Sequence, residues 1–180
     1  QLLLMFLSLS LAVGIVASIT FFTDRLDGSL MMESKQFLGG DLKYESDTPL
    51  DESLFPIGDY SYASIYEFGS VLGSSKKFQL ASVKSVSPPY PLIGEFEILK
   101  KYNEKVIETN PPKIGKVWLD TRLANLLEVT IDDTINIGEK DFSISGIILA
   151  ESDRGAGSFA FAPKAIMNSS DLEEANVIQP

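Results

Sequence analysis

The sequence contains no cysteine and no histidine. The first absence excludes thiol nucleophiles and disulfides. The second excludes Ser-His-Asp triads and imidazole pH switching, and together they exclude Cys/His zinc sites. Neither fixes the compartment, because a domain without disulfides is compatible with an oxidising space. Basic residues are also few: 15 Lys and Arg stand against 25 Asp and Glu, for a net charge of −10. So acidic a surface repels phosphate backbones and anionic headgroups, and no nucleic-acid partner is expected. The basic pairs Lys76-Lys77 and Lys100-Lys101 fall where turns are expected and read as solvated loop charges.

Charge is missing altogether from residues 2–22, whose polar groups are Ser8, Ser10, Ser18 and Thr20. Such hydroxyls bond back to carbonyls of their own helix. At about 1.5 Å per residue this run makes a helix of roughly 31 Å, close to the ~30 Å hydrocarbon core of a bilayer. Residues 2–11 also fit the core of a signal peptide, with Ala12-Val13-Gly14 as a small-x-small cleavage site. The apolar run continues through Ile15, Val16, Ile19, Phe21 and Phe22, which cleavage would leave exposed. A retained transmembrane helix over 1–23 is therefore expected. Either reading places the remainder outside the cytoplasm. The chain opens on Gln1 and stops at Pro180, and reads as a fragment of a longer protein.

Charge begins at Asp24-Arg25 with no proline to break the helix. Leu26, Leu30, Phe37 and Leu38 continue a helical stripe, so the helix is expected to leave the bilayer as an amphipathic stalk and stop at Gly39-Gly40. Residues 41–45 alternate and read as a short strand. Thr48-Pro49 opens a short helix to about 57, with Asp51 and Glu52 placed for its dipole. Residues 60–72 and 78–86 read as a hairpin around a 73–76 turn, with a bulge where alternation slips at Ala81-Ser82. Residues 88–92 read as a rigid extended connector. Then follow a strand at 94–99, a turn at 100–104, a loop at 109–112 and a strand at 115–120. A helix at 121–127 is capped by Asp120 or Thr121, and a second hairpin joins 130–137 to 141–149. Residues 153–157 read as a flexible loop, 158–162 as a short strand, and 163–168 and 170–175 as short helices. The sum is an α+β domain of hairpins and short helices without βαβ alternation.

No constellation carries a catalytic signal. Asp132-Asp133 is the densest carboxylate pair, but neighbours in a strand face opposite ways, and a solvated turn is the expected setting. Asp153-Arg154-Gly155-Ala156-Gly157 lacks both the Gly-Lys-Ser/Thr ending of a phosphate loop and a full GxGxxG, and reads as a hinge or loop tip. Ser70 sits outside any Gly-x-Ser-x-Gly and has no histidine to activate it. Tyr60, Tyr62, Tyr66 and Phe68 either pack a sheet or line an apolar groove. No catalytic, cofactor-binding or metal-binding residue is assigned.

The order of segments does resemble a family. An apolar helix runs into Phe22-Thr23-Asp24-Arg25, then Leu38-Gly39-Gly40-Asp41-Leu42 and Gln79-Leu80-Ala81-Ser82-Val83-Lys84. Tyr90-Pro91-Leu92-Ile93-Gly94, Gly115-Lys116-Val117-Trp118-Leu119-Asp120 and Ile135-Asn136-Ile137-Gly138 follow. Phe142-Ser143-Ile144-Ser145-Gly146-Ile147, Asp153-Arg154-Gly155 and Ala162-Pro163-Lys164 complete the series. This resembles the first transmembrane helix and first periplasmic domain of FtsX/MacB-like ABC transporter permeases, in particular the YbbP-type branch. The resemblance implies a bacterial inner-membrane location with residues after about 23 in the periplasm. It implies a two-lobed periplasmic domain: residues 24–93 with 150–180 as stalk and mixed α/β lobe, and 94–149 as a small strand-rich lobe. It also implies no enzyme activity and no cofactor in this chain. The implied partners are a cytoplasmic ATP-binding subunit, the remaining transmembrane helices and second periplasmic domain of the same permease, and a periplasmic esterase. The implied work is export or extraction of hydrophobic or lipid-related cargo. A membrane-anchored binding or adhesion module is the alternative reading, and an anchored enzyme a third.

Overall fold

The computed structural model describes residues 1–46, 48, 50, 58–101, 104–151 and 161–177, the side chains of 31–38 excepted. Helix α1, Leu2–Leu38, is unbroken across the expected membrane surface. Several of its hydroxyls bond back to the helix itself: Ser18 Oγ donates to Gly14 O at 2.8 Å, Thr20 to Val16 O and Thr23 to Ile19 O, both at 3.0 Å. Polar residues can thus sit on a bilayer-spanning helix without an exposed donor. Residues Leu2–Leu30 are long and apolar enough to cross a membrane, with no part buried against the domain. Gly39, at φ 69, ends α1 as a left-handed stop. Leu26 and Leu30 stay about half exposed.

The domain is one mixed sheet. Its strands are β1 Ile65–Gly73, β2 Phe78–Val86, β3 Phe96–Lys100, β4 Glu104–Glu108, β5 Lys116–Asp120, β6 Thr134–Ile137, β7 Lys140–Glu151 and β8 Lys164–Asn168. They lie in the order β4-β3-β7-β5-β8-β2-β1-β6, and β6 also pairs with β7, which closes a six-stranded ring with β3–β4 as an outer arm. Helix α2, Thr121–Leu127, follows β5. Asp120 is its cap, accepting from Leu123 N at 2.6 Å. A 3-10 turn, Ser169–Asp171, leads into α3, Leu172–Ala175.

Alternation along the strands builds two cores. Val117, Leu119, Ile144, Ala165 and Met167 face the larger one, with Leu72, Phe142 and the α2 residues Leu123 and Leu127. Trp118 and Ile166, one position out of phase, face a second core with Ile98, Ile148, Phe96 and Tyr90. Trp118 meets Phe96 edge-on, ring centroids 5.3 Å apart.

Several expectations are corrected. Residues 41–46 form no strand. The helix expected from 48 to 57 falls largely outside the described residues, as do the 153–157 loop and the start of the 158–162 strand; Phe161 and Ala162 form a turn. No bulge occurs at Ala81-Ser82, where β1 and β2 stay in register throughout. The pattern slips there because Phe78 and Leu80 are exposed, whereas β2 is buried on both faces from Ala81 onward. Residues 88–92 turn rather than extend, with Tyr90 N donating to Ser87 O at 3.0 Å.

Strand β4 was masked in the sequence by its charge, and it gains its ladder from β3. Residues 164–168 form β8 rather than a helix, because β2 in parallel and β5 antiparallel flank it and override a locally helical composition. Parallel pairing of β2 with β8 and of β5 with β7 also departs from a hairpin-only plan. Strands from 94–149 and from the flanking segments share one sheet, and both cores draw residues from each.

Candidate functional site

The foot of α1 is where the helix meets the domain. Gly40, just past the helix stop, is buried, and a Cβ built there lies 3.8 Å from Leu92 Cδ1. Leu92 belongs to the turn that buries Tyr90. Directly behind that turn is a buried ionic cluster. Lys84 Nζ on β2 donates to Tyr90 Oη at 2.5 Å and to Glu151 Oε1 at 2.8 Å. Lys164 Nζ on β8 reaches Glu151 Oε2 at 3.0 Å. The Lys84 and Glu151 side chains are 4% and 8% exposed. Charge-assisted bonds in so dry a setting are short and directional. The Glu151 carboxylate thereby ties the end of β7 to β2, to β8 and, through Lys84, to the turn that receives α1.

A second cluster lies at the start of β7. Asp171 is fully buried, and its two carboxylate oxygens accept from Gly115 N at 3.1 and 2.9 Å. Lys140 Nζ lies 2.6 Å from Asp171 Oδ1 and also bonds the Glu174 carboxylate. The bonds to Asp171 and then Glu174 raise the Lys140 pKa above 10.5. A raised lysine pKa adds stability that is fully present below the unfolded value and is lost as pH rises through the folded one. Urea unfolding of the chain in detergent micelles should therefore show stability falling above about pH 10.5. The Lys140→Met variant should lack that component, and parallel pH profiles for the two proteins would refute the assignment.

The carboxylates singled out in the sequence do not converge. Asp132, at φ 75, pairs with Lys101 at 2.5 Å, and that ammonium holds its carboxyl below the usual range. Asp133 instead braces the turn, accepting from Thr130 N at 2.7 Å and Thr130 Oγ1 at 3.1 Å. Ser70 lies mid-strand opposite Ala81. Tyr60, Tyr62 and Tyr66 are exposed, while Phe68 packs against the larger core. Lys77 sits in the expected turn and pairs with Glu128 at 2.7 Å, lowering that carboxyl's pKa. Among the described residues no group of three or more Asp or Glu is placed to hold a metal ion. Sequence reading missed Lys84, Tyr90, Glu151, Lys164, Lys140 and Asp171. The available signal was a lysine within an apolar strand, Val83-Lys84-Ser85-Val86, where a charge persists only if paired.

A helix long and apolar enough to cross a membrane is followed by a mixed-sheet domain with buried ion pairs near the helix foot. The chain is similar along its whole length to an ABC transporter permease. That relative is the uncharacterized ABC transporter permease YbbP of Escherichia coli (strain K12), 30% identical over 187 residues that cover 100% of this chain. The chain spans 22% of the length of that relative. No family model matches. Among solved structures, the periplasmic region of MacB from Actinobacillus actinomycetemcomitans aligns with a TM-score of 0.45 and 11% identity, over 65% of this chain and 51% of that one. The extracellular domain of the noncanonic ABC-type transporter YknZ from Gram-positive bacteria aligns with a TM-score of 0.44 and 4% identity, over 62% and 56%.

Proposed function

We propose that this chain is the first membrane helix and first periplasmic domain of an inner-membrane ABC transporter permease, and that α1 carries motion between bilayer and domain. One observation carries the reading: α1 is a single helix of 37 residues. At about 1.5 Å per residue it is roughly 55 Å long, well beyond the ~30 Å hydrocarbon core. The part outside the bilayer is helical up to Gly39, and the chain is buried at Gly40 beside Leu92. A continuous helix resists compression and bending, so a tilt in the membrane displaces the turn at Leu92 and the cluster behind it. A separate cytoplasmic ATP-binding subunit supplies the energy, and this chain performs no catalysis. The cargo is hydrophobic or lipid-related, and a periplasmic esterase is a candidate partner.

The test is to insert Gly-Gly-Ser after Thr23 in the full-length permease. Transport should be lost while the ATP-binding subunit still assembles and hydrolyses ATP. Full transport by the insertion variant would overturn the lever.

A further inference from the structure

We infer that the cleft between the end of β2 and α3 is a binding site for a neutral, polyhydroxylated ligand, a sugar ring or short glycan. The cleft holds about 470 Å³ and is lined by Ser64, Tyr66, Ser87, Ser169, Leu172 and Glu173. That volume falls in the range of small-molecule sites, roughly 300–1,000 Å³. Its place follows from the register. Ser64 and Ser87 extend the β1–β2 ladder by one pair, Ser87 N donating to Ser64 O at 3.0 Å and Ser64 N to Ser87 Oγ at 2.8 Å. Residues opposite one another in a ladder share a face, as do residues two apart in one strand. Ala81 and Val83 turn this face of β2 to the larger core, which Leu172 and Ala175 also join. The cleft opens where that core gives way to hydroxyls.

Two observations point to a ligand. Ser85 stands on the same face beneath the cleft, paired with Tyr66 on one side and Met167 on the other, two positions before Ser87. It is fully buried, and its hydroxyl is the one buried side-chain polar atom without a hydrogen-bond partner among the described residues. A buried polar group left unpaired is costly and rare in a native fold. The lining is uncommitted as well. The side chains of Ser64, Tyr66, Ser169 and Glu173 make no hydrogen bond or ion pair among the described residues, whereas the neighbouring Asp171 and Glu174 both hold Lys140.

The lining chemistry selects the ligand. An anion needs cations or converging N–H groups. The lining has neither Lys nor Arg, the Ser64 and Ser87 N–H groups are already used, and Glu173 repels negative charge. An apolar ligand would cover the hydroxyls and leave them unpaired. A cation would meet one exposed, solvated carboxylate and offer the hydroxyl protons no acceptor. Sugar hydroxyls both donate and accept, so they match the serine hydroxyls, the Tyr66 phenol and the Glu173 carboxylate together. The C–H face of a sugar ring packs on the Tyr66 ring and Leu172.

The test is saturation-transfer NMR on the chain in phosphatidylcholine nanodiscs, which carry no sugar headgroup to compete. The probes are lactose, cellobiose and N,N′-diacetylchitobiose, with lactose 1-phosphate and putrescine as charged controls. At least one neutral disaccharide should receive saturation through its ring C–H protons and bind at least tenfold more tightly than either control. Its affinity should fall at least tenfold in Tyr66→Ala and in Glu173→Ala, both at exposed positions. Ser85→Ala should weaken binding at least threefold without lowering the urea midpoint, a combination that a purely structural serine would not give. The fluorescence of Trp118, the single tryptophan, reports whether each variant is folded. If Ser85→Ala does not fold, the two exposed positions decide. No saturation of any disaccharide, a control that binds as tightly as the sugars, or undiminished binding to any folded variant overturns the proposal.

Discussion

Replacing Glu151 with Leu is expected to destabilise the domain by about 3–5 kcal/mol, the cost of stranding a buried charge by removing its partner. Glu151 is the carboxylate shared by Lys84 and Lys164, at 2.8 and 3.0 Å. Without it two ammonium groups, on the adjacent parallel strands β2 and β8, repel one another in a site where the Lys84 side chain is 4% exposed. Glu151→Gln keeps the shape and an acceptor but loses the charge, and should cost less. The diagnostic is the cycle with Lys84→Met. If the two groups act as a unit, the double variant is more stable than the sum of the single losses by about 1–3 kcal/mol. Urea unfolding in detergent micelles, followed by Trp118 fluorescence, measures all four proteins. A Glu151→Leu cost below about 1 kcal/mol, the range of an exposed pair, would mean that the cluster is solvated in solution. In the permease and lever proposed above, the same substitution would probe the coupling, since it loosens the turn at Leu92 without touching α1.

Elements whose determinants are local were legible in the sequence. Residues 2–38 carry neither proline nor a stop before Gly39-Gly40, and the structure has one helix over that span. The α2 helix was readable from Asp120 and the spacing of Leu123 and Leu127, and the β1–β2 hairpin from the glycine-serine turn. What could not be read was set by partners distant in sequence. β8 is a strand because β2 and β5 flank it, and Lys164-Ala165-Ile166-Met167 shows no periodicity that says so. The slip at Ala81 marks the point where both faces of β2 become covered, which alternation alone cannot distinguish from a bulge. The ionic cluster joins residues 84, 90, 151 and 164, and no local pattern links a lysine to a carboxylate 67 positions away. The candidates visible as motifs, Asp132-Asp133 and Ser70, proved to be a turn and a strand position. The groups that shape the helix foot were visible only as charges in apolar company.

The second large effect is at Gly138, and the comparison with Gly115 isolates its cause. Both are left-handed, at φ 61 and φ 73. A Cβ added at Gly115 meets nothing within 4 Å, so Gly115→Ala should cost only the left-handed penalty of about 1–2 kcal/mol. A Cβ at Gly138 would fall 2.0 Å from Ala175 O and 2.4 Å from Val177 Cγ1. The obstacle at Ala175 is backbone, so the end of α3 must move as a unit. That movement strains the 2.9 Å bond from Glu139 N to Ala175 O and lifts Ala175 from the larger core. Overpacking of this kind adds roughly 1–3 kcal/mol, for a total of about 2–5 kcal/mol in Gly138→Ala. The two variants should therefore separate by at least about 1 kcal/mol in urea unfolding. Equal losses would show that the β6–β7 turn is not wedged against α3. Because α3 also carries Glu173 and lies next to the Asp171–Lys140 pair, Gly138→Ala should further lower the alkaline stability supplied by Lys140, and Gly115→Ala should do so less. The coupling follows from the chain path: β7 begins at Lys140, two residues past Gly138, so an α3 pushed away by the new methyl carries Asp171 and Glu174 out of reach of the ammonium.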